Sequence, residues 1–228
     1  MLHGYLSTIL QGLWVTLSVA AVSLAIACAF GLAGAVAKLS ASRAARAVAA
    51  VYTTLIRGLP DLVLMLAIFY GGQILLNKLA ESRGWDTIDV PPFVAGVLTI
   101  GFIFGAYLTE TFRGAILAIP RGQAEAALAY GMRRGQVLCR IVLPQMVRHA
   151  LPGFANNWLV MVKATALVSI IGLDDMVHRA NLAASATREP FTFFCLVGLI
   201  YLGITTLSIA ALSLVERRYS LGVRRVEF

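Results

Sequence analysis

Charge is scarce in this chain. Of 228 residues only 13% are Asp, Glu, Lys or Arg, while 59% are hydrophobic, and the mean hydropathy is +0.82. Soluble domains are near half apolar and a quarter charged. A water-soluble core of this length has no room for so much apolar side chain, which points to the bilayer as solvent. Cysteine is scarce too. Cys28, Cys139 and Cys195 stand far apart, two of them inside apolar runs and Cys139 in an Arg-rich stretch. That spacing gives neither a disulfide framework nor a metal site, and small buried hydrophobes is the plain reading. His3, His149 and His178 fall near the ends of apolar runs, with no Ser-His-Asp or metal-ligand grouping around them. No G-x-x-x-x-G-K-[ST] loop occurs, so ATP has to be bound elsewhere. Clustered basic residues interleaved with aromatics are missing as well, which argues against a nucleic-acid surface. The opening MLHGYLSTILQG has no Lys or Arg, and the apolar run behind it is too long for a signal-peptide core. Low-complexity tracts and fixed-period repeats are absent.

What remains is apolar length. A membrane-spanning helix needs about 20 mostly apolar residues, and five segments qualify: 10–37, 51–77, 93–119, 151–173 and 191–215. The expectation is an all-α polytopic membrane protein, one domain over 1–228, with five transmembrane helices. Basic residues set its orientation. Lys38, Arg43 and Arg46 follow the first run. Arg121, Arg133, Arg134, Arg140 and Arg148 follow the third, and Arg217, Arg218, Arg224 and Arg225 follow the fifth. The alternate loops carry only Lys78, Arg83, Arg179 and Arg188, mixed with acids. This bias puts the N-terminus outside and the C-terminus inside, and it accounts for most of the formal charge of +8.

One loop is long enough to fold, at about 120–150. It reads RGQAEAALAYGMRRGQVLCRIVLPQMVRHA. Residues 125–130 favour helix, Gly131 suits the position just past a helix end, and 136–143 can form a second short helix that Pro144 bends or ends. A basic loop resting on headgroups explains the arginines. It does not explain an alanine pair beside a fixed carboxylate, a surface suited to close docking in another protein's cleft.

Glu125-Ala126-Ala127, three residues, Gly131, nine residues, then Ile141-Val142-Leu143-Pro144 resembles in full the EAA motif of membrane subunits of bacterial ATP-binding-cassette (ABC) importers. Arg57-Gly58-x-Pro60, Tyr107-x-x-Glu110-x-x-Arg113-Gly114, and Asn156-Asn157 followed by Lys163-x-Thr165-Ala166-Leu167 resemble its polar amino acid branch. Across nearly its whole length, including RRYSLGVRR, the chain is similar to Q-type membrane subunits of histidine/lysine/arginine/ornithine importers. Opine importer subunits are closely similar.

The resemblance implies a type I ABC importer permease fold in the bacterial inner membrane, with Glu125, Ala126, Ala127, Gly131, Ile141, Leu143 and Pro144 coupling to the ATPase. It implies as partners a paralogous M-type permease subunit, two copies of a cytoplasmic ABC ATPase that bind ATP and Mg²⁺, and a periplasmic amino-acid-binding protein. This chain itself would bind no cofactor and catalyse nothing alone. The implied function is import of histidine, arginine, lysine and ornithine. Opines or other polar amino acids are the alternative; a passive channel or a membrane anchor are rivals that need no EAA loop, and an exporter subunit is a rival that usually has a fused ATPase or six or more spans.

Charges inside the runs are expensive, about 2.5–3.5 kcal/mol each on insertion scales, so each needs a partner or a watery path. Arg57 and Asp61 are four apart and pair if one helix carries both. Alternatively Pro60 opens the span and Asp61 meets the positive end of its dipole, worth about 0.3–1 kcal/mol. The family has RGTP followed by an apolar residue, whereas here Leu59 and Asp61 occupy those places, a departure that suits a cationic substrate. Glu110 with Arg113 is an ion pair or a substrate contact, with Tyr107 one turn away. Lys163 needs an anion, from Asp61, Glu110 or the substrate. Asn156 and Asn157 suit hydrogen bonding between helices. A basic amino acid carries one carboxylate and two cations. The expected site therefore has Lys163 at the carboxylate, Glu110 at the α-amino group and Asp61 at the distal cation, with Leu64, Phe69 or Tyr70 against the methylenes.

Overall fold

The computed structural model describes residues 4–219. Residues 1–3 and 220–228, with most of RRYSLGVRR and the pair Arg224 and Arg225, lie outside the described residues. Among the described residues no strand occurs. In chain order the helices are α1 (Tyr5–Leu39), α2 (Arg43–Gly58), α3 (Asp61–Ser82), α4 (Pro92–Leu117), α5 (Arg121–Ala129), α6 (Arg134–Val137), α7 (Leu143–Ala164), α8 (Met176–Thr187) and α9 (Pro190–Tyr219). Five helical stretches are long and apolar enough to span: Tyr5–Leu39, Asp61–Ser82, Pro92–Leu117, Arg134–Ile171 and Pro190–Tyr219.

Two boundaries differ from the sequence expectation. The run at 51–77 is not one helix. Pro60 forces Leu59 into an extended conformation, φ −112° and ψ 149°, because its ring excludes helix at the residue before it. The first part of the run belongs to α2, an amphipathic helix that buries Ala49, Thr53 and Ile56 on one face and leaves Val48, Val51 and Leu55 outward. Asp61 is therefore the first residue of α3, and the one-helix pairing of Arg57 with Asp61 does not occur. The second difference lies after the loop. Pro144 does not stop the chain, because a π-helical turn at Leu138–Val142 precedes it. That turn resets the hydrogen-bond register, and Pro144 falls in the first turn of α7, where no amide donor is required. The result is one helical rod over Arg134–Ile171, ending in a 3₁₀ segment at Thr165–Ile171.

α4 is the centre of the bundle and packs mainly along α1. Bilayer helices gain little from hydrophobic expulsion and rely on close approach through small residues. Here Gly31 and Gly34 of α1 sit against Leu108 and Thr109, while Gly101 and Gly105 of α4 sit against Ile26 and Phe30. A Cβ on Gly34 would lie 2.3 Å from Thr109 Oγ1. The register, with Ser23 Oγ donating to the Val97 carbonyl at 3.3 Å and Lys38 meeting Glu110, makes the two helices parallel. Asn157 Nδ2 of α7 donates to Thr111 Oγ1 at 2.9 Å, an inter-helix bond of the expected kind.

A second core joins α1, α8 and α9 around Ile9, Met176, Ala180 and Phe193. Asp175 caps α8 by accepting from the His178 amide at 2.8 Å, and its Oδ2 is buried without a hydrogen-bond partner among the described residues. Burial pushes the Asp175 carboxyl up to about 6. Next to it, the Arg179 guanidinium hydrogen-bonded to Asp174 holds that carboxyl below its usual range. α9 buries only Phe193 and Val197. The outward leucines of α3 and α9, such as Leu75 and Leu202, are surfaces for lipid or another membrane subunit.

Candidate functional site

Two sites follow from the fold. The first is the loop between α4 and α7. α5 ends in a Schellman motif: Met132 N donates to the Ala127 carbonyl at 3.1 Å and Gly131 N to the Leu128 carbonyl at 2.9 Å. Gly131 takes φ +82°, a left-handed conformation that glycine adopts without penalty. Ala127 and Val137 are buried, where α5, α6 and the π-helical turn pack on one another. Gln145 on α7 donates to Gln123 on α5 at 2.5 Å and to the Ile141 carbonyl at 2.9 Å, stitching the loop to the span. Glu125, Ala126, Gly131, Leu143 and Pro144 remain exposed, and Ile141 is half-buried. Tyr130 is 90% exposed, so the apex offers an aromatic ring and small residues on a rigid base.

The second is a polar cluster in an open cleft of the bundle, where α2 turns into α3 beside α4. The Arg57 guanidinium lies over the Tyr107 ring, 5.5 Å from its centroid. The Tyr107 side chain lies close enough to the Asp61 carboxylate for the two to interact. Arg57 and Asp61 thus meet through Tyr107 rather than directly. Glu110 is held from two sides, by Arg113 Nε at 3.2 Å and by Lys38 Nζ. Lys38 also donates to Thr53 Oγ1 at 2.6 Å, so one ammonium joins α1, α2 and α4. Lys38, Thr53, Thr54, Arg57, Gly58, Tyr107 and Glu110 line an open cleft of about 470 Å³.

Of the residues expected at a substrate site, the structure brings Asp61, Tyr107 and Glu110 into one region. Leu64 is buried in the main core below them. Phe69 lies two turns further along α3, its ring 5.0 Å from that of Tyr70. Lys163 is exposed on the isolated chain and makes no ion pair among the described residues. Depth can be counted from the Asn157–Thr111 bond at 1.5 Å per residue. Tyr107 lies about 6 Å from it and Lys163 about 9 Å, in the same direction, since Val168 of the rod packs on Gly96 of α4. Lys163 and the Tyr107–Asp61 pair therefore share a depth, while Glu110 sits nearer the loop.

Sequence reasoning missed Lys38 and Thr53 as members of the cluster. Lys38 was counted only as a topology charge. Its place in the last turn of a long apolar helix was the available signal, but its acid is 72 residues away and only the parallel packing of α1 on α4 reveals it.

Comparison with known proteins gives a family and a fold. Residues 11–221 match the family described as "Binding-protein-dependent transport system inner membrane component". The chain is 56% identical over 227 residues, all of both chains, to the histidine/lysine/arginine/ornithine transport system permease protein HisQ of Salmonella typhimurium. It is 40% identical over 97% of its length, and 94% of the relative's, to the octopine transport system permease protein OccQ of Rhizobium meliloti. Among solved structures it is similar to a chain of the crystal structure of an amino acid ABC transporter with histidines. The TM-score is 0.79, the identity 32%, and the coverage 94% of this chain and 95% of that one.

Proposed function

The chain belongs to the family of binding-protein-dependent transport system inner membrane components, and from that premise we propose that it is a permease subunit of an ATP-driven importer of basic L-amino acids. The observation that carries this reading is the 56% identity over the full length to a histidine/lysine/arginine/ornithine permease, against 40% for an octopine permease. The latter keeps opines as the second reading. Permeases of this family work with an ATPase and a substrate-binding protein.

In this proposal the second membrane subunit is a paralogue of M type, two ATPase copies sit under the pair, and ATP and Mg²⁺ are bound there. The N-terminus faces the periplasm and the C-terminus the cytoplasm, as the basic-residue bias favours. ATP-driven closure of the ATPases moves the exposed EAA surface around Glu125, Ala126 and Gly131. The stitched base at Gln123, Ile141 and Gln145 carries that motion into the Arg134–Ile171 rod. Each conformational step has to change substrate affinity, because a ligand shifts an equilibrium only by its differential binding.

For the substrate, Lys163 takes the α-carboxylate and Asp61 a cationic group, with Tyr107 positioning Asp61. Their common depth supports this. Glu110 is already held by Lys38 and Arg113, which favours a role in locking α1, α2 and α4 together. The test is Asp61→Asn and, separately, Lys163→Met in the assembled transporter, reading uptake and ATP hydrolysis. Asp61→Asn is expected to lower arginine and lysine uptake about tenfold, the scale of one lost charge-assisted contact of about 1.5 kcal/mol, with assembly and ATPase capacity retained. Unaltered lysine uptake in the assembled variant removes Asp61 from the site.

A further inference from the structure

The hairpin of α1 and α2 contains a groove that the transport reading does not use. It is lined by Phe30, Ala33, Ala37, Ala45, Val48 and Tyr52 among others, and it has a volume of about 630 Å³, within the 300–1,000 Å³ usual for ligand sites. Its walls are apolar. The Tyr52 hydroxyl is already donated to the Phe102 carbonyl at 2.5 Å, so nothing inside selects a polar molecule.

The mouth is different. α1 runs parallel to α4, so the turn between α1 and α2 lies at the end of the bundle that carries the EAA loop. Arg43 is exposed in the first turn of α2. Arg46 Nη1 donates to the Ser40 and Ala41 carbonyls at 2.8 and 2.9 Å, which fixes the guanidinium at the turn, and the residue is exposed. Before Asp61 the chain contains no Asp or Glu at all, and among the described residues neither arginine has an ion-pair partner. An apolar slot at the end of the bundle that carries two exposed arginines complements an acyl chain beneath a negatively charged headgroup. Basic pockets between spanning helices on the cytoplasmic side recognise anionic headgroups on the same grounds.

We infer that the α1–α2 groove is a binding site for an anionic phospholipid of the adjoining leaflet, with an acyl chain between Ala33, Ala45 and Val48 and the phosphate at the exposed Arg43 and Arg46. The lipid fills the space between α2 and α1, so it steadies the helix that carries Thr53 and Arg57 into the polar cluster.

The test is native mass spectrometry of the transporter assembled with its membrane and ATPase partners, with phosphatidylglycerol or phosphatidylethanolamine added at equal concentration. The expected result is phosphatidylglycerol retained in preference to phosphatidylethanolamine. Arg43→Gln on the exposed rim is expected to weaken that retention about fivefold, the effect of one arginine near a charged headgroup. Ala45→Trp, which fills the slot, is expected to abolish it. Equal retention of the two lipids overturns the inference, and so does phosphatidylglycerol binding that neither variant changes. A cysteine at Ala45 that cross-links to the second membrane subunit in the assembled transporter overturns it too, because the groove is then a protein interface. If Ala45→Trp fails to assemble, Arg43→Gln decides alone.

Discussion

The shape of the loop apex depends on Gly131. Its φ of +82° is needed for both Schellman bonds that end α5, and a Cβ added there meets nothing within 4 Å. Substitution therefore does not clash within this chain. What it loads is the backbone, by about 1–2 kcal/mol for an ordinary L-residue in the left-handed region, a factor of about 5–30 in the population of the correctly ended helix. If the ATPase engages only that conformation, its apparent affinity for the permease falls by the same factor. Asn tolerates the left-handed region and Ala does not, so the two separate conformation from bulk. Gly131→Asn should keep most ATPase coupling, Gly131→Ala should need about 5–30 times more ATPase subunit for half-maximal stimulation, and Gly131→Arg should give a folded membrane subunit that stimulates nothing. The assay is binding-protein-stimulated ATP hydrolysis by the assembled transporter, titrated with ATPase subunit. Wild-type titration curves for all three variants would refute the turn argument. Equal loss in Asn and Ala would show that bulk against the partner, and not the turn, is what matters.

Other expectations follow from packing and charge. Gly12→Ala places a Cβ 2.7 Å from the backbone of Met176; the α1–α8 seam should lose about 1–3 kcal/mol, read as a lowered Tm of the assembled protein. Lys38→Met and Glu110→Gln should couple in a double-mutant cycle by about 0.5–3 kcal/mol, since each single change leaves the other's charge half-buried; additive effects would deny the pair. Asp175 has a folded pKa of about 6, above its usual 3.8. The folded state therefore binds the extra proton, and this group's contribution to stability declines as pH rises from about 4 to 6 and stays low above it. Asp175→Asn preserves an equally good cap, so denaturation midpoints measured between pH 5 and 7 should be flatter for the variant than for the wild-type protein.

Helix type and number of spans were legible because apolar run length is a local property, and the EAA spacing was legible because its residues stand at fixed offsets within one loop. What escaped was long-range. Val51 through Gly58 read as part of a span because hydropathy cannot see that Pro60 closes one helix and lets α2 lie as an amphipathic piece beside α1. Arg57 and Asp61 read as a helical pair for the same reason, and the structure joins them through Tyr107 from another helix. Lys38 read as a topology marker, since no local pattern foretells an acid 72 residues away. Pro144 read as a bend or an end because the π-helical turn that accommodates it has no sequence signature of its own.

The most direct measurement is uptake by proteoliposomes containing the assembled transporter, with ATP inside and the substrate-binding protein outside. Labelled histidine, arginine, lysine and ornithine are compared with octopine and a neutral amino acid. The basic amino acids are expected to accumulate only when both ATP and the binding protein are present, with little uptake of octopine or the neutral compound. Uptake that persists without ATP, or octopine carried in preference to arginine, would contradict it.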